Sequence, residues 1–339
     1  MKKLLIWDLD GTIWNGTFVY DGTAVKIKPN ISHVLETLVE RGILNSIASR
    51  NDKITLTEFL KKNSLLDFFV FPQISWDMKD VSVQRILEKV NVLPMHTAFI
   101  DDDAFERGLV ASRFPEILML DGSKEENIAS LLDNEEFKPK DVRSGSGRAR
   151  LEALHTQEQR DSEESRFENR TEFLKSCDMV CDVHRMRPDE TSRVIELINR
   201  TNQLNLTANR YQPDEFEVSL ECCHVFVFSL KDRFGEYGII GVVILQETGR
   251  SFIWIKDFVL SCRAMNRGIE QVMMSFVRRF ASINKFRGMI FRLNRTPYNE
   301  SIQRVFNEFG FHPEGQYYFS QVLEKINCKV PEWVKLVES

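Results

Sequence analysis

The stretch LLIWDLDGT, Leu4–Thr12, decides how the first half of the chain is read. Leu4–Leu9 is a short apolar run of the kind that forms a buried strand, with the carboxylates Asp8 and Asp10 at its end. Spaced at i and i+2, the two point to the same side of an extended chain. Gly11 then permits a tight turn off a sheet. Working outward, Ile31–Arg41 carries helical periodicity, with Ile31, Val34, Leu35 and Leu38 on one face and Gly42 at its stop. Ile43–Ser49 reads as the next strand, Lys53–Lys62 as a helix and Phe68–Phe71 as a third strand. Val81–Val90 reads as a helix, His96–Asp101 as a strand and Ala104–Ser112 as a helix. This alternation predicts an α/β unit whose parallel sheet is covered on both faces. Ligands of such sheets bind at the carboxyl ends of strands, where Asp8, Ser49 and Asp101 fall.

From Asp133 to Ser176 apolar residues thin out, SGSG occupies Ser144–Gly147, and Arg150–Arg170 is rich in Glu, Arg and Gln. A polar connecting helix after a flexible break is expected there. No strand precedes the SGSG and no GK[ST] follows it, so it reads as linker and not as a phosphate loop. The second unit begins with strand Val180–His184 and helices Glu190–Thr201 and Asp214–Ser219. The runs Val225–Leu230, Tyr237–Leu245 and Phe252–Leu260 follow in succession, which predicts antiparallel pairing and an α+β fold. Helix Ala264–Ala281, strand Met289–Leu293, helix Asn299–Phe309 and strand Tyr317–Val322 complete it. The expected divisions are 1–135, a linker 136–176, a second domain 177–326 and a tail 327–339.

A length of 339 residues suits two domains, and 42% apolar with 28% charged residues is ordinary globular usage. The longest apolar run, near Gly238–Leu245, is far short of the about 20 residues that span a bilayer. MKKLLIW begins like a secretory signal, but Asp8 and Asp10 interrupt it at once. A cytoplasmic protein without membrane attachment is expected. The net charge of −5 gives no electrostatic reason to expect nucleic acid. The six cysteines show no zinc spacing, so reduced thiols are expected.

Beyond Asp8 and Asp10, three further elements follow in order, each at a loop after a strand. Ser49 opens Ser-Arg-Asn-Asp, Lys79 closes Trp-Asp-Met-Lys, and Phe99–Asp103 reads Phe-Ile-Asp-Asp-Asp. Phosphoryl transfer from a monoester requires these types. A carboxylate takes the phosphoryl group, a second protonates the leaving oxygen, a hydroxyl and an ammonium hold the phosphoryl oxygens, and an acidic pair binds Mg²⁺. The competing reading is an Asp-rich turn, a polar loop and an exposed lysine that arose independently.

Over residues 1–132 this arrangement resembles the haloacid dehalogenase (HAD) phosphatase superfamily. The resemblance implies Asp8 as nucleophile, Asp10 as general acid/base, and Ser49 and Lys79 as phosphate ligands. It implies Mg²⁺ on the Asp8 carboxylate, the Asp10 backbone carbonyl and one or both of Asp101 and Asp102. Many members insert a large cap; here Trp14–Lys28 has room only for a β flap and Asp52–Lys79 for a helix and a strand. An uncapped site suits a large substrate, such as one displayed on another protein.

Longer strings are similar to the FkbH-like proteins of HAD subclass IIIC: Trp7–Trp14, Gly42–Asp52, Phe99–Arg107, Arg200–Thr207, Leu260–Glu270, and Thr296–Asn299 ahead of Glu308–Phe311. That resemblance implies a glyceryl transferase/phosphatase. Such a protein takes 1,3-bisphosphoglycerate, removes phosphate and loads glyceryl onto the phosphopantetheine thiol of a holo-acyl carrier protein for polyketide assembly. Relatives in methoxymalonyl pathways often carry a cysteine in the first strand, where this chain has Leu4. The alternatives are a stand-alone Mg²⁺-dependent phosphatase on a small ester and a non-catalytic carrier-binding module.

The second half resembles the GNAT acetyltransferase fold, in which a glycine-rich loop at a helix start binds the coenzyme A pyrophosphate. Arg263–Glu270 stands there with one glycine, Gly268, and with Glu270, whose carboxylate disfavours a pyrophosphate. Acetyl-CoA is therefore not expected as a cofactor. Arg263 and Arg267 are either ligands of a pantetheine phosphate or solvated charges at a helix start. Asn202, Gln203, Asn205 and Thr207 either line a tunnel between the domains and bind substrate or pantetheine there, or cap and turn the chain. Cys262 is either a thiol near that loop or a buried structural one.

Overall fold

The computed structural model describes residues 1–138, 146–220, 222–247, 251–314, 317–320 and 322–339. The chain forms two compact units, Met1–Ser162 and Glu163–Ser339.

In the first unit, β1 (Leu4–Trp7), β2 (Leu44–Ser49), β3 (Gln73–Ile74), β4 (Thr97–Asp101) and β5 (Leu118–Asp121) form one sheet. The order is β3-β2-β1-β4-β5, with every pair parallel. Every residue of β1, β2 and β4 is buried, as the near-continuous apolar runs require when both faces are covered. Alternate β1 residues divide between two cores. Leu5 and Trp7 pack with Val34, Leu35 and Leu38 of α1 (Ile31–Glu40) and Leu56 and Leu60 of α2 (Lys53–Lys62). Leu4 and Ile6 pack with Val83 and Ile86 of α3 (Lys79–Val90) and Val110 of α4 (Ala104–Arg113). The helices thus cover both faces of a doubly wound sheet.

The third strand lies later than Phe68–Phe71. Leu66–Phe68 is a 3₁₀ turn, Phe69 makes one parallel bridge to Asn45, and the chain bends at Phe71 (φ +47°) before the ladder at Gln73–Ile74. Lys79 is the first residue of α3 and not a loop residue. β5 had no counterpart in the sequence reading. The flap over Trp14–Lys28 pairs Trp14–Asn15 with Lys26–Ile27 and holds a one-turn helix, Phe18–Asp21.

The connecting helix α5 spans Ser146–Glu164. Its Leu151 enters the core beside Val39, and Glu158 accepts from the Phe71 N–H at 2.6 Å, so most of it belongs to the first unit. Ser144 and Gly145 lie outside the described residues. Gly147 is no linker glycine: a β-carbon there would collide with the Val39 carbonyl.

In the second unit, α6 (Arg170–Ser176) precedes β6 (Met179–Arg185), and Phe173 and Leu174 of α6 are buried in this unit's core. β7 (Cys223–Asp232), β8 (Gly235–Glu247) and β9 (Phe252–Leu260) continue β6 as an antiparallel meander. β10 (Gly288–Arg292) joins β9 in parallel. β11 (His312–Glu314), β12 (Tyr317–Ser320) and β13 (Val334–Glu338) complete an eight-stranded sheet ordered β11-β12-β10-β9-β8-β7-β6-β13. On one face α7 (Thr191–Arg200) buries Val194 and Ile198 against Val227 and Val242, with α8 (Pro213–Ser219) beside it. On the other, α9 (Ile269–Ile283) buries Met273 and Phe276 against Phe228 and Val243, and α10 (Glu300–Glu308) adds Phe306.

Two expectations change here, and a third falls partly outside the described residues. The helix placed at Ala264–Ala281 starts at Ile269, because Gly268 takes φ of +86° after the 3₁₀ turn Cys262–Ala264. The stretch 327–339 is not a tail, since β13 pairs in parallel with β6. Gln321, within the stretch read as strand Tyr317–Val322, lies outside the described residues. Among the described residues no helix is long and apolar enough to cross a membrane.

Candidate active site

The ends of β1 and β4 lie side by side, because the Asp8 N–H donates to the Ile100 carbonyl at 2.9 Å. Asp8 and Asp101 therefore stand next to each other, and α3 delivers Lys79 between them. Its Nζ lies 2.8 Å from Asp8 Oδ1 and 2.5 Å from Asp101 Oδ2. All three side chains are buried. Asp101 Oδ1 also accepts the Asp103 N–H at 2.9 Å. Asp102 is exposed, and its carboxylate packs over Gly11, where a β-carbon would collide with it. Oxygens of Asp8, Asp101 and Asp102 lie within 4.8 Å of one another.

One ammonium does not balance this cluster. Burial first, then the neighbouring Asp101, push the Asp8 carboxyl up to about 8 against the pull of Lys79. Burial also raises the Asp101 carboxyl. Burial works against the Lys79 charge too, but Asp8 and Asp101 outweigh it and hold the ammonium above its usual range. Hard carboxylate oxygens crowded and short of positive charge are the donor set that suits Mg²⁺.

Asp10 is held apart from this group. Its Oδ1 accepts the Trp14 Nε1–H at 2.7 Å and the Phe18 N–H at 2.8 Å from the flap. Its Oδ2 accepts from Asn51 Nδ2 at 2.9 Å, and Asn51 also reaches the buried Ser49 Oγ at 3.5 Å. Asp10, Ser49 and the loop after β2 are thereby tied together.

Sequence reasoning passed over Trp14, Lys28 and Asn51 as site residues. Lys28 is buried and donates to the carbonyls of Gly11 at 2.5 Å and Gly122 at 2.9 Å, pinning the turn after Asp10. Burial lowers its pKa. Asn51 stood inside the quoted Gly42–Asp52 string and could have been found there, since an amide two residues beyond Ser49 is a ready partner for a carboxylate. Lys28 gave no such signal, because its partner carbonyls are set only by the fold.

In the second unit, Asn205 and Thr207 are buried and fully engaged by protein groups. Asn205 Nδ2 donates to the Ile198 and Thr201 carbonyls at 3.2 and 3.1 Å, capping α7, and its Oδ1 accepts the Ala208 N–H at 2.8 Å. Thr207 Oγ1 donates to Asp257 Oδ1 at 2.8 Å, and the Tyr211 hydroxyl reaches Asp257 Oδ2 at 3.2 Å. These two side chains cap α7 and turn the chain, the second of the two roles expected for them. Asn202 and Gln203 are exposed, with Asn202 Oδ1 accepting from Arg210 at 2.6 Å.

Cys262 is exposed, which corrects the alternative of a buried structural thiol. Arg263 is half-buried and reaches the Tyr237 carbonyl at 3.4 Å. Arg267 is not a solvated charge: it is 5% exposed, its guanidinium lies 5.7 Å from the Tyr237 ring centroid, and its Nη1 has no hydrogen-bond partner. Glu270 is buried and accepts the Asn266 N–H at 3.0 Å, and burial raises its pKa. Pro331 and Trp333 close over Gly268, and Trp333 Nε1 donates to the Arg267 carbonyl at 2.8 Å.

No protein-family model matches the chain, and no curated protein matches it. Among solved structures, it is similar to the N-terminal part of BF1531 from Bacteroides fragilis, which contains a phosphatase domain and was solved with Mg. Identity there is 24% over 42% of this chain and 42% of that one, with a TM-score of 0.38. It is also similar to spermidine N-acetyltransferase from Vibrio cholerae in complex with CoA and spermine, at 13% identity over 43% of this chain and 98% of that one (TM-score 0.34). A GNAT-family acetyltransferase from Staphylococcus aureus matches at 14% identity over 41% of this chain and 97% of that one (TM-score 0.33).

Proposed function

We propose that the chain is a Mg²⁺-dependent HAD-type phosphatase joined to a GNAT-like unit, acting as a glyceryl transferase/phosphatase on a holo-acyl carrier protein. The observation that carries this reading is the meeting of Asp8, Asp101, Asp102 and Lys79 at the strand ends. The Asp8 carboxylate, the Asp10 carbonyl, Asp101 and Asp102 would hold Mg²⁺, whose charge offsets repulsion between carboxylate and phosphate.

In the hydrolytic step an Asp8 oxygen forms a bond to phosphorus as the ester P–O bond breaks. Asp10, oriented by Trp14, Phe18 and Asn51, gives its proton to the leaving alkoxide. Water then attacks the aspartyl phosphate, Asp10 takes a proton from it, and inorganic phosphate leaves with Asp8 restored. Ser49 and Lys79 hold the non-bridging oxygens. For 1,3-bisphosphoglycerate, the carrier's pantetheine thiolate attacks C1, forming a thioester as the bond to phosphate breaks. The C3 monoester is left for Asp8. Acetyl-CoA has no part in this scheme, and the cytoplasm is the setting it implies.

The test incubates the protein with Mg²⁺, 1,3-bisphosphoglycerate and holo-carrier, and reads the carrier by intact mass. A glyceryl adduct that requires the pantetheine thiol is the expected result. Phosphate release without an adduct would replace this reading by a stand-alone small-ester phosphatase. Neither product would leave a non-catalytic carrier-binding module.

A further inference from the structure

Asp8 is only 3% exposed, yet the loops around it expose large apolar side chains. Tyr20 (87%) and Val19 ride on the flap turn whose Phe18 N–H holds Asp10. Ile54 stands in the first turn of α2, just after Asn51. Trp76 (61%) and Met78 directly precede Lys79, and Phe105 (72%) opens α4 just after Asp101–Asp103. The loops after β1, β2, β3 and β4, all at the carboxyl ends of the strands, therefore each present an apolar side chain to solvent. Among the described residues, the other exposed large apolar side chains of this unit, Met1, Leu93 and Met95, lie ahead of β1 and β4, at the opposite ends of the strands.

The charges among these loops divide by sign. Asp52 caps α2 through the Thr55 N–H, Asp77 pairs with Arg85, and Asp103 caps α4 through the Phe105 N–H. Arg50, next to Ser49, is half exposed and makes one long contact, 3.5 Å to Glu106. These three carboxylates are committed to local partners and Asp102 lies over Gly11 in the acidic cluster, while the Arg50 guanidinium faces water. Exposed contiguous apolar surface marks a protein-binding site, and Trp, Tyr and Arg dominate the energetics of such sites. A small phosphate ester would touch only the buried groups and would need none of this surface.

We propose that the apolar rim with Arg50 is the docking surface for a folded acyl carrier protein, which inserts its phosphopantetheine arm toward Asp8 while Arg50 meets the arm's phosphodiester. The proposal rests on the carrier reading above and adds the surface that recognises the carrier.

The test measures Kd for a panel of holo-acyl carrier proteins and their apo forms by calorimetry. It compares the unaltered protein with Tyr20→Ser/Trp76→Ser, with Arg50→Gln, and with Leu93→Ser/Met95→Ser at the opposite edge. Tyr20→Ser/Trp76→Ser is expected to weaken binding about tenfold or more. Arg50→Gln is expected to remove the preference for holo over apo carrier, and Leu93→Ser/Met95→Ser to bind like the unaltered protein. Equal Kd across all variants, or binding to no carrier, overturns the proposal. Hydrolysis of p-nitrophenyl phosphate with Mg²⁺, measured alongside, tests the phosphatase reading separately. Its absence with rim-dependent carrier binding sinks that reading alone; its presence with rim-independent binding sinks the docking surface alone.

Discussion

Gly11 has φ of +70°, and a β-carbon on it would run into the Asp102 carboxylate. Gly11→Ala therefore moves one of the three carboxylates that would hold Mg²⁺ while leaving Asp8 and Lys79 in place. The Mg²⁺ concentration for half-maximal p-nitrophenyl phosphate hydrolysis should rise about 10- to 100-fold, the usual cost of disturbing a ligand's support. An unchanged Mg²⁺ midpoint would take Asp102 out of the site. Asp8→Asn differs in kind. The amide oxygen still accepts from Lys79, so the circular-dichroism melt should show an intact fold, but the side chain no longer attacks phosphorus. Phosphate release should fall about 10³-fold or more. At this scale the placement of Asp8, Asp10, Ser49, Lys79, Asp101 and Asp102 was legible, since each ends or follows a strand in order. Asn51 and Lys28 were not, because hydrogen bonds that close a turn or orient a carboxylate leave no periodic trace.

Strands buried on both faces announce themselves as unbroken apolar runs, which is why β1, β2 and β4 could be read to within two residues. β5 escaped because all four of its residues are only half-buried. β3 escaped because the apolar run at Phe68–Phe71 makes a single parallel bridge, Phe69 to Asn45, and then bends, so the ladder itself forms later at Gln73–Ile74. The capping segment at Asn205–Thr207 had a legible composition but an illegible partner, Asp257 on β9. Asp257 is fully buried, and burial raises its carboxyl to about 6 even though Thr207 and Tyr211 donate to it. The folded state then binds a proton that the unfolded chain has already lost above about pH 4. Asp257 therefore contributes stability below about pH 4 that is lost as pH rises to about 6, with no further change above it. Asp257→Asn keeps the shape and removes this slope. Urea unfolding at pH 4.5 and pH 7 should show the variant gaining about 1–3 kcal/mol on the parent across that interval. Parallel pH profiles would mean that Asp257 is already ionised at low pH in the folded state.

The two units have separate cores: Leu5 to Phe137 and Leu4 to Leu151 in the first, Phe173 to Val334 and Val194 to Val259 in the second. All the carboxylates that would hold Mg²⁺ belong to the first unit. Without the ion, that unit keeps Asp8 and Asp101 buried beside one shared lysine, so part of its stability is spent on confining like charges. An ion bound only by the folded state adds RT ln(1 + [Mg²⁺]/Kd), about 2.7 kcal/mol at 100 times Kd. That gain goes to the unit whose unfolding releases the ion. Hydrogen exchange with and without Mg²⁺ should therefore slow at the amides of β1 and β4, and across the globally protected core of residues 1–162. Exchange in residues 163–339 should stay within error. Slowing spread evenly over both units would mean that they unfold as one, and no slowing in β1 and β4 would mean that the carboxylates at the strand ends do not hold the ion.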